Sequence, residues 1–145
     1  MFVNIQRARF WLGTVCMVML LVLLSACGSS SPNKVEREPG HVVIEMKGMR
    51  FSPEEIEVAP GTQIVFVNMD RQRHNVVAGK PEDRVADAVF RSPTLGATEE
   101  WAITFDEEGE HDYMCTINNH HLMGMVGRII VRAEDELPSQ PGNTR

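Results

Sequence analysis

Seven short runs rich in β-branched and aromatic residues, set at near-regular spacing, limit what this chain can fold into. They cover residues 41–46, 54–58, 62–68, 74–78, 98–105, 110–115 and 125–132. Turn signals separate them, including Ala59-Pro60-Gly61 and Glu107-Glu108-Gly109. Within the runs Ile64 and Phe66, and again Trp101, Ile103 and Phe105, recur at every second position. Each such strand therefore turns one apolar face to a core. Many short strands of this kind predict an all-β sandwich of two sheets. The least regular stretch is 81–90, where Pro81 precedes Glu82, Asp83, Arg84, Val85, Ala86 and Ala88. A turn or two of helix is expected there. The chain has no internal repeat.

The ends read differently. Arg7 and Arg9 precede an apolar stretch over 11–24 that is too short for a comfortable membrane span, the order of a targeting signal. Leu24-Ser25-Ala26-Cys27 resembles the bacterial lipoprotein processing box, with an uncleaved anchor helix or ordinary secretory cleavage as the plainer alternatives. On the first reading 1–26 is a signal peptide and Cys27 becomes the lipidated first residue. Residues 27–40 are Ser-, Pro- and Glu-rich and form a flexible tether with a reach of about 20 Å. One domain follows over 41–133, and 134–145, with Pro138 and Pro141, is a disordered tail. Lipid at Cys27 would hold the domain on the periplasmic face of a membrane or on a bacterial cell surface. Gly28, rather than Asp, after the cysteine resembles lipoproteins sent to an outer membrane.

Cysteine arithmetic is informative. Cys16 leaves with the signal and Cys27 carries lipid, so Cys115 is the one remaining thiol and no internal disulfide can form. A lone thiol in an oxidising compartment points to a bound metal, against the plainer reading of a buried inert cysteine. Loss of Arg7 and Arg9 takes the formal net charge from −6 to −8, which excludes nucleic acid as a partner. The acidic clusters, such as Glu54-Glu55 and Asp106-Glu107-Glu108, serve solubility, with steering of a basic redox partner as a further use.

Cys115-Thr116-Ile117-Asn118-Asn119-His120-His121-Leu122-Met123-Gly124-Met125 holds thiolate, imidazole and thioether donors in one loop. Soft sulfur combined with imidazole favours copper, and two His, one Cys and a weak axial Met make up a blue copper electron-transfer site. The loop lacks a distant second histidine, and His74, between two strands, is the candidate. His121 in place of His120, or Met123 in place of Met125, remains open on spacing alone.

Ordered pieces along the chain resemble the cupredoxins. They are Arg50-Phe51-Ser52-Pro53-Glu54, Val58-Ala59-Pro60-Gly61, Val65-Phe66-Val67-Asn68 leading to His74-Asn75-Val76, Gly109 through Tyr113 to Cys115, and Gly124-Met125-Val126-Gly127. The resemblance implies a Greek-key β-sandwich of about 7–8 strands with one copper ion, cycling between Cu(I) and Cu(II), near one end. Its ligand roles fall on His74, Cys115, His120 and Met125. Two features depart from the family. Asn118-Asn119 stand where long-loop members often have Pro-Gly, which suggests a more flexible loop. His111 stands where many members carry an aromatic residue. Alternation places it on the side of Tyr113 and Cys115, where it could donate a hydrogen bond behind a ligand; a packed or hydrogen-bonded histidine is the expectation, with a metal ligand as the alternative. His41 is expected to be exposed, and Met46, Met49, Met69 and Met114 to fill the core.

The function implied is a monomeric electron carrier. The edge of His120 is the exit path, inside an apolar patch of Ile117, Leu122 and Met123. A c-type cytochrome or a membrane oxidase or reductase is the expected partner. The alternative is copper trafficking or storage, for which exposed Met and His side chains would bind Cu(I). An independent enzyme is not expected. Beyond the proposed ligands only His41, His111 and His121 remain for further copper, and no hydrolase or phosphate-binding motif is present.

Overall fold

The structure is a computed structural model that describes residues 34–137. The proposed signal, Cys27 and the stretch 138–145 lie outside the described residues. Eight strands form two four-stranded sheets. They are β1 (Val42–Met46), β2 (Phe51–Ser52), β3 (Glu55–Val58), β4 (Gln63–Asn68), β5 (Val77–Ala78), β6 (Glu100–Thr104), β7 (Gly109–Met114) and β8 (Val126–Val131). One sheet has the order β2-β1-β4-β6 and the other β3-β8-β7-β5. The β-sandwich expected from alternation and spacing is the observed fold.

Two of the pairings are parallel. β1 lies parallel to β4, with Val42 beside Ile64 and Met46 beside Asn68, and β3 lies parallel to β8, with Glu55 beside Arg128. The other pairs are antiparallel. Alternation decides what faces inward: Ile44 and Met46 of β1, Ile64 and Phe66 of β4, Tyr113 of β7, and Ile129 and Val131 of β8 are buried together. The Tyr113 ring lies at the centre, edge-on to Phe51 at 4.8 Å and to Phe66 at 5.3 Å between centroids. Each fully buried side chain of this size contributes about 1.5–3 kcal/mol relative to exposure. Glycine at position 127 leaves room for Tyr113, since a Cβ there would collide with the phenol.

Several elements differ from expectation. Phe51–Ser52 adds a two-residue strand, and the run expected over 74–78 shrinks to Val77–Ala78. His74 pairs only through an isolated bridge to Leu95. The helix expected within 81–90 is a single 3-10 turn, Val85–Asp87, and Glu134–Glu136 forms another in the expected tail. The last residues of the expected tether lie along the sandwich. The Arg37 guanidinium and the Val35 N–H donate to the buried Glu100 carboxylate, at 2.8 and 3.2 Å. The Glu38 N–H donates to Gln63 Oε1, and Gln63 Nε2 donates to the Glu36 carbonyl. Their polar composition predicts disorder because they bury little, but side chains of β4 and β6 order them by hydrogen bonds.

Among the methionines, Met46 and Met114 are core residues and Met49 packs against the core, whereas Met69 is 51% exposed. No helix among the described residues is long and apolar enough to cross a membrane.

Candidate metal centre

The site forms where strands end. β7 finishes at Met114, so Cys115 is the first residue beyond the sheet. β5 begins three residues after His74, and β5 pairs with the end of β7, Val77 opposite Met114. Two segments far apart in sequence are thereby brought to one pole. Polar side chains beside the ligand positions join them. Asn75 Nδ2 donates to Thr116 Oγ1 at 2.9 Å, and the Thr116 N–H donates to Asn75 Oδ1 at 2.8 Å.

At that pole His74 Nδ1 lies 3.7 Å from Cys115 Sγ, and His120 Nδ1 lies 3.5 Å from the same sulfur. The candidate ligand atoms of His74, Cys115 and His120 all lie within 4.8 Å of one another, and all three residues are buried. Met125 is fully buried beside them in the fold, while Met123 is 56% exposed. His121 turns back on the chain, its Nδ1 3.2 Å from the Cys115 carbonyl oxygen, and is not part of the cluster. His111 stacks on Phe105 at 4.0 Å between ring centroids, and its Nε2 is buried without a hydrogen-bond partner. It packs against Phe105 and is not part of the His74, Cys115 and His120 cluster.

The two halves of the site are held by different forces. His74 is fixed by the β4 end. Its N–H and carbonyl bridge to Leu95, and its Nε2 meets Asp70 Oδ2 at 3.0 Å. Asn68, fully buried, organises this turn: Nδ2 donates to the carbonyls of Gln72 and Leu95, and Oδ1 accepts from the Asp70 N–H. With Nε2 engaged by a carboxylate, Nδ1 is left as the nitrogen facing the thiol, an arrangement common behind metal-bound histidines. Asp70 was not legible as a partner in the sequence. The available signal was a carboxylate in the loop just before a candidate ligand. Asn75 and Thr116 were missed likewise, although each is the polar neighbour of a candidate ligand.

The later loop is held by its own backbone. It forms two short helical turns, Ile117–Met123, with a kink at Asn118 (φ 46°) and Asn119 (φ 60°). Asparagine tolerates this left-handed region better than most residues. Gly124, at φ 91°, then closes the turn. The His121 N–H donates to the Cys115 carbonyl, the Met125 N–H to the His120 carbonyl, and the Cys115 N–H to the Met125 carbonyl. The asparagines are conformational specialists within a hydrogen-bonded loop, where the sequence suggested looseness.

Electrostatics suit a metal. Burial pushes the Cys115 thiol pKa up, with the N–H groups of Asn75 and Ile117 working in the opposite direction. Burial, then the neighbouring His74, lowers the His120 pKa against an opposing pull from Asp70, and so favours the neutral ring that a ligand requires. A cation between these atoms would stabilise the thiolate and release its proton. The donor set of one sulfur and two imidazole nitrogens, buried and convergent, fits a single type 1 copper ion.

The sequence model of copper-binding proteins of the plastocyanin/azurin family matches residues 39–132. The chain belongs to that family. Amicyanin from Paracoccus denitrificans is 29% identical over 94 residues, covering 63% of this chain and 66% of the relative. The copper-resistant cuproprotein CopI from Rubrivivax gelatinosus is 30% identical over 106 residues, covering 62% and 64%. The chain thus spans slightly under two thirds of the length of these curated relatives. The solved structure of a reduced amicyanin variant superposes with a TM-score of 0.58 and 26% identity, covering 72% of this chain and 95% of that one. The chain is therefore a cupredoxin by sequence as well as by fold, and copper is its cofactor.

Proposed function

We propose that this cupredoxin carries single electrons between redox proteins, its copper held by His74, Cys115, His120 and Met125. Bound copper supplies a one-electron couple. The protein supplies a buried site whose halves are joined by the Asn75 and Thr116 hydrogen bonds. The observation that carries the reading is this convergence from separate, braced segments: ligands that move little between oxidation states keep the reorganisation on electron transfer small. Asp70 fixes the His74 ring, and Asn68 fixes Asp70. His120 is 3% exposed and lines an open cleft, so its ring edge is the route outward. Leu122 and Met123, both exposed, and partly buried Ile117 form the apolar surface beside it.

In the same reading Cys27 carries lipid, 1–26 is removed, and the domain over 41–133 works as a monomer at the periplasmic face of a membrane or on a cell surface. Its partner is a c-type cytochrome or a membrane-bound oxidase or reductase. The protein is a carrier and turns over no substrate of its own.

Copper trafficking is the second reading. Exposed Met69 and Met123 favour it as soft donors for Cu(I), and the likeness to a copper-resistant cuproprotein supports it. An absorption spectrum of the copper-loaded protein through reduction and reoxidation separates the two. An electron carrier gives an intense thiolate-to-copper band that bleaches, returns, and is absent in Cys115→Ser. Loss of the band after one reduction, with no return, would replace the carrier reading with trafficking.

A further inference from the structure

Two turns frame the cleft that leads to His120. The first, Lys47-Gly48-Met49-Arg50, joins β1 to β2 and is closed by backbone hydrogen bonds in both directions between Lys47 and Arg50, at 3.0 and 3.2 Å. The second, Asp70-Arg71-Gln72-Arg73, follows β4. They are fastened together, since the Met49 N–H donates to Asp70 Oδ2, the oxygen that also meets His74. Met49, Gln72 and Arg73 line the cleft with Ile117, Asn118 and His120.

Lys47, Arg50, Arg71 and Arg73 are all exposed. Among the described residues, none of the four takes part in an ion pair. Asp70 is the one anion in these turns, and its carboxylate is already engaged by His74 and the Met49 N–H. The rim around the exit is therefore basic on a chain whose formal net charge is −6. The acidic run Asp106-Glu107-Glu108 precedes β7, whereas Cys115 follows it, so they stand about 20 Å apart at strand geometry.

We propose that this basic rim docks the acidic face of an electron-transfer protein, with partner carboxylates pairing to Arg71 and Arg73 while His120 faces the incoming redox centre. The inference rests on the electron-carrier reading above. Arginine's planar fork suits bidentate pairing with carboxylates, and unpaired guanidinium groups have none to give up first. An acidic partner is repelled by the chain's net negative charge and attracted at the basic rim, so the same charges steer and orient it. Net charge by itself points to a basic partner, and the local distribution reverses that choice.

Voltammetry of the copper-loaded protein on gold tests this, with a carboxylate-terminated monolayer standing in for the acidic face and an amine-terminated one as its opposite. At low ionic strength the carboxylate layer is expected to give a reversible couple with interfacial transfer about tenfold faster than the amine layer. Added salt should remove the advantage, as should the double variant Arg71→Glu with Arg73→Glu, while lysine at both positions keeps most of it. Both residues are exposed, and an unchanged thiolate band verifies that the variants fold. Faster transfer on the amine layer, or indifference to the double reversal with the band intact, would overturn the proposal. Absence of a reversible band in the unsubstituted protein would instead overturn the carrier reading. In a Cys27→Ser background, sedimentation with phosphatidylglycerol vesicles that depends on the same arginines would reassign the rim to a lipid surface.

Discussion

His74 and the loop from Cys115 to Met125 bring donors to one point, yet they are positioned in opposite ways. Around His74 the positioning is chemical: Asn68, Asp70 and Leu95 supply specific donors and acceptors, and the backbone is extended. In the later loop it is conformational: Asn118, Asn119 and Gly124 occupy left-handed backbone, and main-chain hydrogen bonds close the turns. The first region is sensitive to which polar atoms are present. The second is sensitive to which φ angles are permitted.

Substitutions can separate these sensitivities. Asn68→Ala is expected to have the largest effect, since it removes all three hydrogen bonds of a fully buried side chain. The cost is about 3 kcal/mol, at roughly 1 kcal/mol per bond, measured by urea unfolding of the metal-free protein. A loss under about 1 kcal/mol would mean that the polar network does not brace this half. Gly124→Ala forces a Cβ into left-handed backbone at a place with open space around it, so strain alone should cost about 1–2 kcal/mol. Copper affinity should fall with it, because the turn sits between His120 and Met125. Unchanged stability and affinity would show that the loop is not conformationally selected. Asn119→Gly should change stability by less than about 0.5 kcal/mol, as glycine adopts φ 60° freely but loses more entropy on folding. A cost above 1 kcal/mol would mean that the asparagine side chain acts chemically.

A smaller effect lies away from both regions. Burial lowers the His111 pKa, so the unfolded chain binds a proton there more readily than the folded one. Stability from this residue is full above the unfolded value of about 6.5 and falls as pH drops through and below it. His111→Phe should flatten that slope between about pH 7 and 5 in denaturant titrations. A slope that stays the same would assign the acid sensitivity to other groups.

The contrast also explains what could be read from the sequence. The sandwich was legible because alternation of residues such as Ile64 and Phe66 is a local pattern that reports a buried face. The cluster of His74, Cys115 and His120 was legible in part because Cys115 and His120 sit in one loop of unusual chemistry. It took coordinates to see His121 turn back on the Cys115 carbonyl and Met123 remain exposed. Asp70 was invisible because its importance depends on where a turn aims one carboxylate. The β2 strand was missed because two residues before Pro53 carry no periodicity. Residues 35–38 were read as tether because their anchors, Gln63 and Glu100, lie far along the chain.

The parallel pairing of β3 with β8 bears on timing. Glu55 to Val58 find their partners only in Arg128 to Val131, near the end of the domain. A ribosome or a translocation channel delivers the chain from its N-terminus, so β3 stays unpaired until almost everything else has emerged. Cys115 and His120 precede β8, and they reach open solvent before the sheet that will bury them can close. Long-range pairing of this kind slows folding. For that interval the Cys115 thiol lacks the closed sandwich that buries it.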